Sequence, residues 1–383
     1  MKKKLKIYKV ISWIVDILLL VCLYFPITKY VDFLGGHIED WFKGEVIPFM
    51  LSSVLGGMLI YYVVKLLAII WHELGHLVFG LKANLEFVAF NVLSFNFTYE
   101  DKKLKVTKEA KLPGNVKGYC NMTTREGVKH SNESKRMFFM GGIIFNIIAS
   151  IFSLILLLLI KNELIDCILL FNLVMNTYFA IHNALPLVLK TGNGTDALQY
   201  LYCLEDDNYL EILSKVQRVN KLLANGIELK DIDEKLFVKP SKYVSKTDIL
   251  SALFYVDYMV SKEKYKECVE LIEDMLEKGK EITTAQDESL MKLQLLICLF
   301  ELGRIEDIKK YWNEQDSKFL DVMSNLTPNF MILKYMYVLL VLKDNKEADK
   351  ILEKYNKMDK SKINENDLKD IEELIDKINK SVS

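Results

Sequence analysis

Neither sign of charge dominates this 383-residue chain: 50 basic residues stand against 51 acidic ones, a net charge of −1. Bulk electrostatics therefore favour neither nucleic acid nor a strongly acidic partner. The six cysteines (Cys22, Cys120, Cys167, Cys203, Cys268, Cys298) form no CxxC pair or other metal-like spacing. That excludes a cysteine-based metal site and predicts buried or reduced thiols without a disulfide. No small-x-small cleavage site follows the first apolar run, about residues 10–27, which argues against a removed signal peptide. Nor is there a good lipoprotein box, because Val21 is too bulky for the position before Cys22. The run is read as a retained span.

The near-zero net charge hides a partition. The first half carries the long apolar runs, and the second half is charge-rich and amphipathic. The abundance of Lys, Ile and Asn leans toward an AT-rich bacterial genome. Four runs reach spanning length, at about 10–27, 47–81, 137–160 and 164–189. The second exceeds the roughly 20 residues that a bilayer needs, so it is expected to tilt or to kink at Gly56-Gly57. Only residues 161–163 separate the third from the fourth, which predicts a hairpin. Lys2, Lys3, Lys4, Lys6 and Lys9 precede the first run, and the 82–136 segment holds eleven basic residues. The excess of Lys and Arg places both on the cytoplasmic side, and the fourth span then returns the carboxy-terminal half there as well.

Late in the second run stands His72-Glu73-Leu74-Gly75-His76. One helical turn puts both imidazoles on the same face, able to chelate a single zinc. Glu73 is placed to act as general base toward a water at the metal. Ionisable groups at membrane depth are costly and mark function by default. A third ligand is needed. Asp196 follows a helix break at Pro186, Gly192 and Gly194, so it either turns toward the metal or serves as a helix N-cap. Asp16, at a similar depth in the first run, is its rival. Lys65, two turns before His72, is read as lining a wet cavity or snorkelling. The third run opens Gly141-Gly142-Ile143-Ile144-Phe145-Asn146: glycines admit another helix closely, and a lone Asn in lipid demands a partner.

Taken in order, His-Glu-Leu-Gly-His, then Gly142-x-x-x-Asn146, then Asn183-x-x-Pro186 followed by Asp196 resemble the site-2 protease family of intramembrane zinc metalloproteases, over roughly residues 45–205. The resemblance implies a three-span core with one Zn2+ per chain, held by His72, His76 and Asp196. It also implies Glu73 as the base, with Asn146 and Asn183 supporting substrate or intermediate. Ile143 departs from the family's usual proline, and Thr-Asp-Ala ten residues beyond Pro186 replaces a closer Leu-Asp-Gly. The family's PDZ insertion and CBS appendage are not evident. Residues 87–99 alternate apolar and polar, and 104–107 reads as their antiparallel partner. Family members are similar in placing such a hairpin at the cytoplasmic mouth. Its edge would hold an unwound substrate by strand addition or merely plug the membrane interface.

From about Lys246 the chain reads as helix pairs. Cys268, Ile308 and Ala348 stand 40 residues apart, as do Ile272, Trp312 and Leu352; Val256, Leu296 and Met336; and Tyr255, Leu295 and Tyr335. Such columns resemble degenerate tetratricopeptide repeats, although the period exceeds the usual value of about 34. A stack of this kind offers a concave surface for a protein or peptide, whereas a plain bundle would bind nothing. The expected fold is mainly α: a multi-span metalloprotease core with a small cytoplasmic β-hairpin, followed by an α-helical repeat domain. The expected divisions are 1–45, 46–205, a junction at 206–245, and 246–383. The expected activity is cleavage of a transmembrane or signal-peptide-like substrate in a bacterial cell membrane, with the bilayer as surroundings. A binding or regulatory membrane protein with a vestigial metal site is the alternative, and a zincin using a downstream glutamate is a weaker third.

The lysine distribution makes a topological prediction. Reporters placed after Ser383 and near Asn115 are expected in the cytoplasm, and one near Glu39 outside. Finding Ser383 outside would remove an odd number of spans.

Overall fold

The computed structural model describes residues 2–38, 46–93, 95–100, 103–108, 118–125, 127–128, 130–189, 194–224, 226–325, 327–360 and 365–382. The reporter positions Glu39, Asn115 and Ser383 lie outside them, as does the Thr191-Gly192-Asn193 stretch before Asp196. The chain divides into two compact units, Met1–Leu210 and Glu211–Ser383.

In the first unit, four stretches of helix are long and apolar enough to cross a membrane: Ile7–Gly36, Met50–Lys82, Asn132–Leu159 and Glu163–Ala184. The first combines α1 (Lys2–Cys22) and α2 (Tyr24–Ile38). Pro26 has no N–H to donate one turn back, so the ladder is interrupted where the two helices join. Helix continues beyond residue 27, where the sequence reading ended it. Tyr30 and Leu34 are buried in a core shared with Cys167, Phe171 and Met175.

Helix α3 (Val46–Lys82) runs without a break through Gly56-Gly57. These glycines serve packing: a Cβ on Gly56 would collide with the Tyr30 hydroxyl. The helix ends at Asn84 in the left-handed region (φ 60°), a conformation that Asn tolerates at helix C-termini. Strands β1 (Glu86–Val92), β2 (Phe95–Glu100), β3 (Lys103–Lys108) and β4 (Gly118–Thr123) form an antiparallel sheet in the order β3-β2-β1-β4. The expected hairpin is β2–β3, with Tyr99 opposite Leu104. The 87–99 run is two strands rather than one, because the chain turns at Leu93 (φ 59°). The fourth strand, β4, pairs with β1 and packs on α3.

Ser131 caps α4 (Asn132–Leu159) by accepting from the Ser134 N–H, and Asn162 caps α5 (Glu163–Ala184) in the same way through Ile165. Helix α5 stops two residues before Pro186, not at residue 189, since the position preceding a proline disfavours helical backbone. The short α6 (Asp196–Glu205) then packs on α4 and α5.

The second unit is helical: α7 (Tyr209–Ala224, starting at the boundary), α8 (Lys246–Ser261), α9 (Tyr265–Lys278), α10 (Ala285–Glu301), α11 (Glu314–Met323), α12 (Pro328–Met336), α13 (Asn345–Asn356) and α14 (Glu365–Lys380). A 3-10 turn at Ile305–Lys310 follows α10, and a π turn at Tyr337–Val341 extends α12. Of the aligned columns, Cys268, Ile308, Ala348, Ile272, Val256, Leu296, Met336, Leu295 and Tyr335 are all buried in one core. Ile308 occupies its column from the 3-10 turn, so the middle step is irregular. Residues 211–245 pack within this unit, where Val219, Ile232 and Phe237 cluster on Tyr258. All six cysteines are free, and five are buried.

Two ion pairs are enclosed in this core. Lys246 meets Asp287, and Lys292 meets Asp316 at 2.8 Å with both side chains under a tenth exposed. Asp287 and Asp316 also close the capping boxes of α10 and α11. Removing one partner strands a buried charge, which costs about 3–5 kcal/mol. Asp316→Ala should lower the urea concentration at which the fully buried Cys268 and Cys298 become reactive to a thiol reagent. Removing the exposed Glu314, which pairs with Lys318, should leave that midpoint unchanged.

Candidate metal centre

Gly75, inside the histidine motif, and Gly141 of α4 face each other so closely that a Cβ on either would run into the other's carbonyl. Two helix backbones in contact there bring the motif's histidines onto α4. Trp71 fastens the same seam by donating its indole N–H to the Phe145 carbonyl at 2.7 Å.

His72 and His76 are buried one turn apart, their Nε2 atoms 3.3 Å from each other. Their other nitrogens settle the tautomers. His76 Nδ1 lies 2.9 Å from the Phe138 carbonyl, which can only accept, so Nδ1 carries the proton. His72 Nδ1 lies 2.5 Å from Asn146 Oδ1, another acceptor. In their neutral forms both imidazoles therefore turn an Nε2 lone pair inward.

Asp196 completes the cluster. Its Oδ2 is 3.0 Å from His72 Nε2, and its Oδ1 is 3.4 Å from His76 Nε2. The long linker from Pro186 does not keep it away, because the linker closes on itself. Val188 pairs with Gly194, and the Thr195 hydroxyl donates to the Leu185 carbonyl at 2.6 Å while accepting from the Leu187 N–H at 3.0 Å. Thr195 is the N-cap of α6, so Asp196 is the first helical residue rather than the cap.

Among the described residues, His72, His76 and Asp196 form a group able to hold a metal ion, their ligand atoms all within 4.8 Å of one another. Three features fit a cation. Lone pairs converge with no proton between the neutral rings. Asp196 Oδ2 is buried without a hydrogen-bond donor. Gly142 leaves open the space in front, since a Cβ there would sit 2.5 Å from His72 Nε2 and 2.6 Å from His76 Nε2.

Glu73 is buried beside the triad but is not one of its members. Its carboxylate accepts from the Cys120 backbone N–H on β4. Gly118, at the start of β4, leaves room for it, as a Cβ there would lie 3.2 Å from Glu73 Oε1. The sheet thus backs the carboxylate. Asn146 is fully buried and turned to His72, while Asn183 donates to the Phe179 carbonyl in its own helix and has no bond to the triad. Asp16 accepts from the Tyr178 hydroxyl at 2.8 Å, away from the cluster, and Lys65 lies beside Tyr61.

Sequence reasoning missed Gly118 and Asn176. Nothing in the sequence singles out Gly118, because its role depends on where the sheet docks. Asn176 had a legible signal, since it and Asn172 stand four apart in an apolar helix.

Asp196→Ala should abolish stoichiometric metal binding by the purified chain, measured as zinc content after dialysis. Asp16→Ala should retain its metal. The reverse result would move the third ligand onto α1. Comparison of the chain with family models, with curated proteins and with solved structures returns no match.

Proposed function

We propose that this chain is an intramembrane zinc metalloprotease of the site-2 protease type, hydrolysing a peptide bond in or near a transmembrane or signal-peptide-like segment. The observation that carries the reading is the convergence of the His72, His76 and Asp196 ligand atoms beside a buried carboxylate that is not a ligand. A purely structural metal has no need of that carboxylate.

Zinc fits the donor set. Two imidazoles and a carboxylate are three of the ligands of a catalytic zinc, with a position left open. The two Nε2 atoms, 3.3 Å apart, are close enough that His72 and His76 would hold one ion together. When bound, zinc supplies Lewis acidity, polarising the scissile carbonyl and acidifying water. Glu73 takes the proton of the attacking water and returns it to the departing amine nitrogen, so the carboxylate ends each turnover as it began. Its hydrogen bond from the Cys120 N–H aims it during both transfers. A helix shields its own peptide bonds, so the substrate must unwind locally. Strand β4, lying at one edge of the sheet and against Glu73, is where an extended segment would be held.

The four apolar helices support a multi-pass membrane protein, and the lysine distribution favours both termini in the cytoplasm of a bacterial cell. The tetratricopeptide-like helices of the second unit serve a cytoplasmic protein or peptide.

Glu73→Gln provides the test. It should keep about one zinc per chain and lose cleavage, because it removes the base and spares the ligands. Membrane-peptide fragments present in cells with the native chain should be missing from cells carrying the variant. Undiminished proteolysis by Glu73→Gln would overturn the mechanism.

A further inference from the structure

Behind His72 runs a line of polar side chains, buried except for the half-buried Asn172, that the proposed chemistry leaves without a task. His72 Nδ1–H donates to Asn146 Oδ1 at 2.5 Å. Asn146 Nδ2 donates to Asn176 Oδ1 at 2.7 Å, and Asn176 Nδ2 donates to Asn172 Oδ1 at 2.9 Å. Asn172 Nδ2 then donates to Ser153 Oγ at 2.7 Å, whose hydroxyl ends the line on the Ala149 carbonyl at 2.9 Å. Every bond points the same way, from the imidazole outward.

Backbone carbonyls hold that direction. Asn176 Nδ2 also donates to the Asn172 carbonyl at 2.9 Å, which cannot donate in return, so the Asn176 oxygen must face Asn146. Asn146 has a weaker anchor of its own, the Ala68 carbonyl at 3.3 Å. Its amide orientation therefore depends mainly on Asn176. The orientation matters because a flipped Asn146 would present NH2 to His72 Nδ1. The imidazole proton would then move to Nε2, and the lone pair aimed at the metal would be lost.

Asn146, Asn176 and Ser153 are at most 1 % exposed within apolar helices. Polar groups in such surroundings are costly unless bonded, and single interhelical hydrogen bonds return little. Helix packing alone is a weak reason to align them. Aligned bonds polarise one another, and a partner behind a metal-bound histidine raises its basicity as well as fixing its ring.

We propose that Asn176 is a positioning residue for the metal centre, holding Asn146 in the one amide orientation that leaves His72 Nε2 free to bind, with Asn172 and Ser153 extending the relay. The inference rests on His72 being a metal ligand and is independent of the proteolytic reading.

The test uses the full chain in lipid, with Zn2+ as probe against a chromophoric chelator. Asn176→Leu should weaken affinity about 10- to 100-fold, the usual loss for a partner behind a ligand. Asn176→Asp keeps the acceptor toward Asn146, with its second oxygen protonated against the Asn172 carbonyl, and should stay near the native affinity. Ser150→Ala, which removes a bond to the Asn146 carbonyl outside the relay, should change nothing. Nitrogen NMR of 15N-histidine chain is tractable with five histidines. Without metal it should report the proton of His72 on Nδ1 in the native chain and on Nε2 in Asn176→Leu. Native affinity and tautomer in Asn176→Leu would overturn the proposal, as would equal losses in the Leu and Asp variants. Failure of the native chain to bind zinc would instead overturn the metal reading beneath it.

Discussion

Two helix backbones touch at Gly75 and Gly141, and the metal centre is built outward from that contact. Any side chain at either position would force α3 and α4 apart. His76 would then lose the Phe138 carbonyl, and His72 would lose Asn146. Gly142, one residue on, serves a different end: its missing side chain is the space that the imidazole nitrogens look into. The same stretch of glycines therefore both closes the helix pair and opens the site.

The remaining parts are arranged around that seam from three directions. Helix α6 brings Asp196 to the histidines, its start set by the Thr195 hydroxyl rather than by a short linker. Strand β4 lies behind Glu73, where Gly118 makes room for the carboxylate and the Cys120 N–H holds it. Helix α5 supplies Asn176 to the back of the site. Acceptors stand behind both histidines, and lone pairs stand in front. That polarity, set by the Phe138 carbonyl behind His76 and the Asn146 amide oxygen behind His72, suits the cluster to hold a cation.

The second unit is stabilised differently. Its helices bury apolar side chains in a large core and a smaller cluster, and enclose two lysine–aspartate pairs whose carboxylates also cap helix starts. Each carboxylate thereby answers a lysine and a helix terminus at once, which offsets the cost of burying charge.

Helices, apolar runs and the histidine motif were legible in the primary structure because each depends on residues close in sequence. Periodicity marks a helix face, run length marks a span, and one turn joins His72 to His76. Most residues of the 40-residue columns are buried in one core, as apolar positions at helical spacing tend to be. Boundaries were less legible: helix resumes past Cys22 and runs to Ile38, beyond the end of the apolar run, and Gly56-Gly57 packs against Tyr30. Only the tertiary structure shows that Asp196, and not Asp16, lies with the histidines, for both stood at plausible depth. The choice depended on a turn closed by Val188, Gly194 and Thr195, and on Tyr178 engaging Asp16. The partners behind His72 and Glu73 were likewise a tertiary matter. A hydrogen bond between residues 74 apart has no local signature, and a glycine shows its purpose only against the side chain it admits.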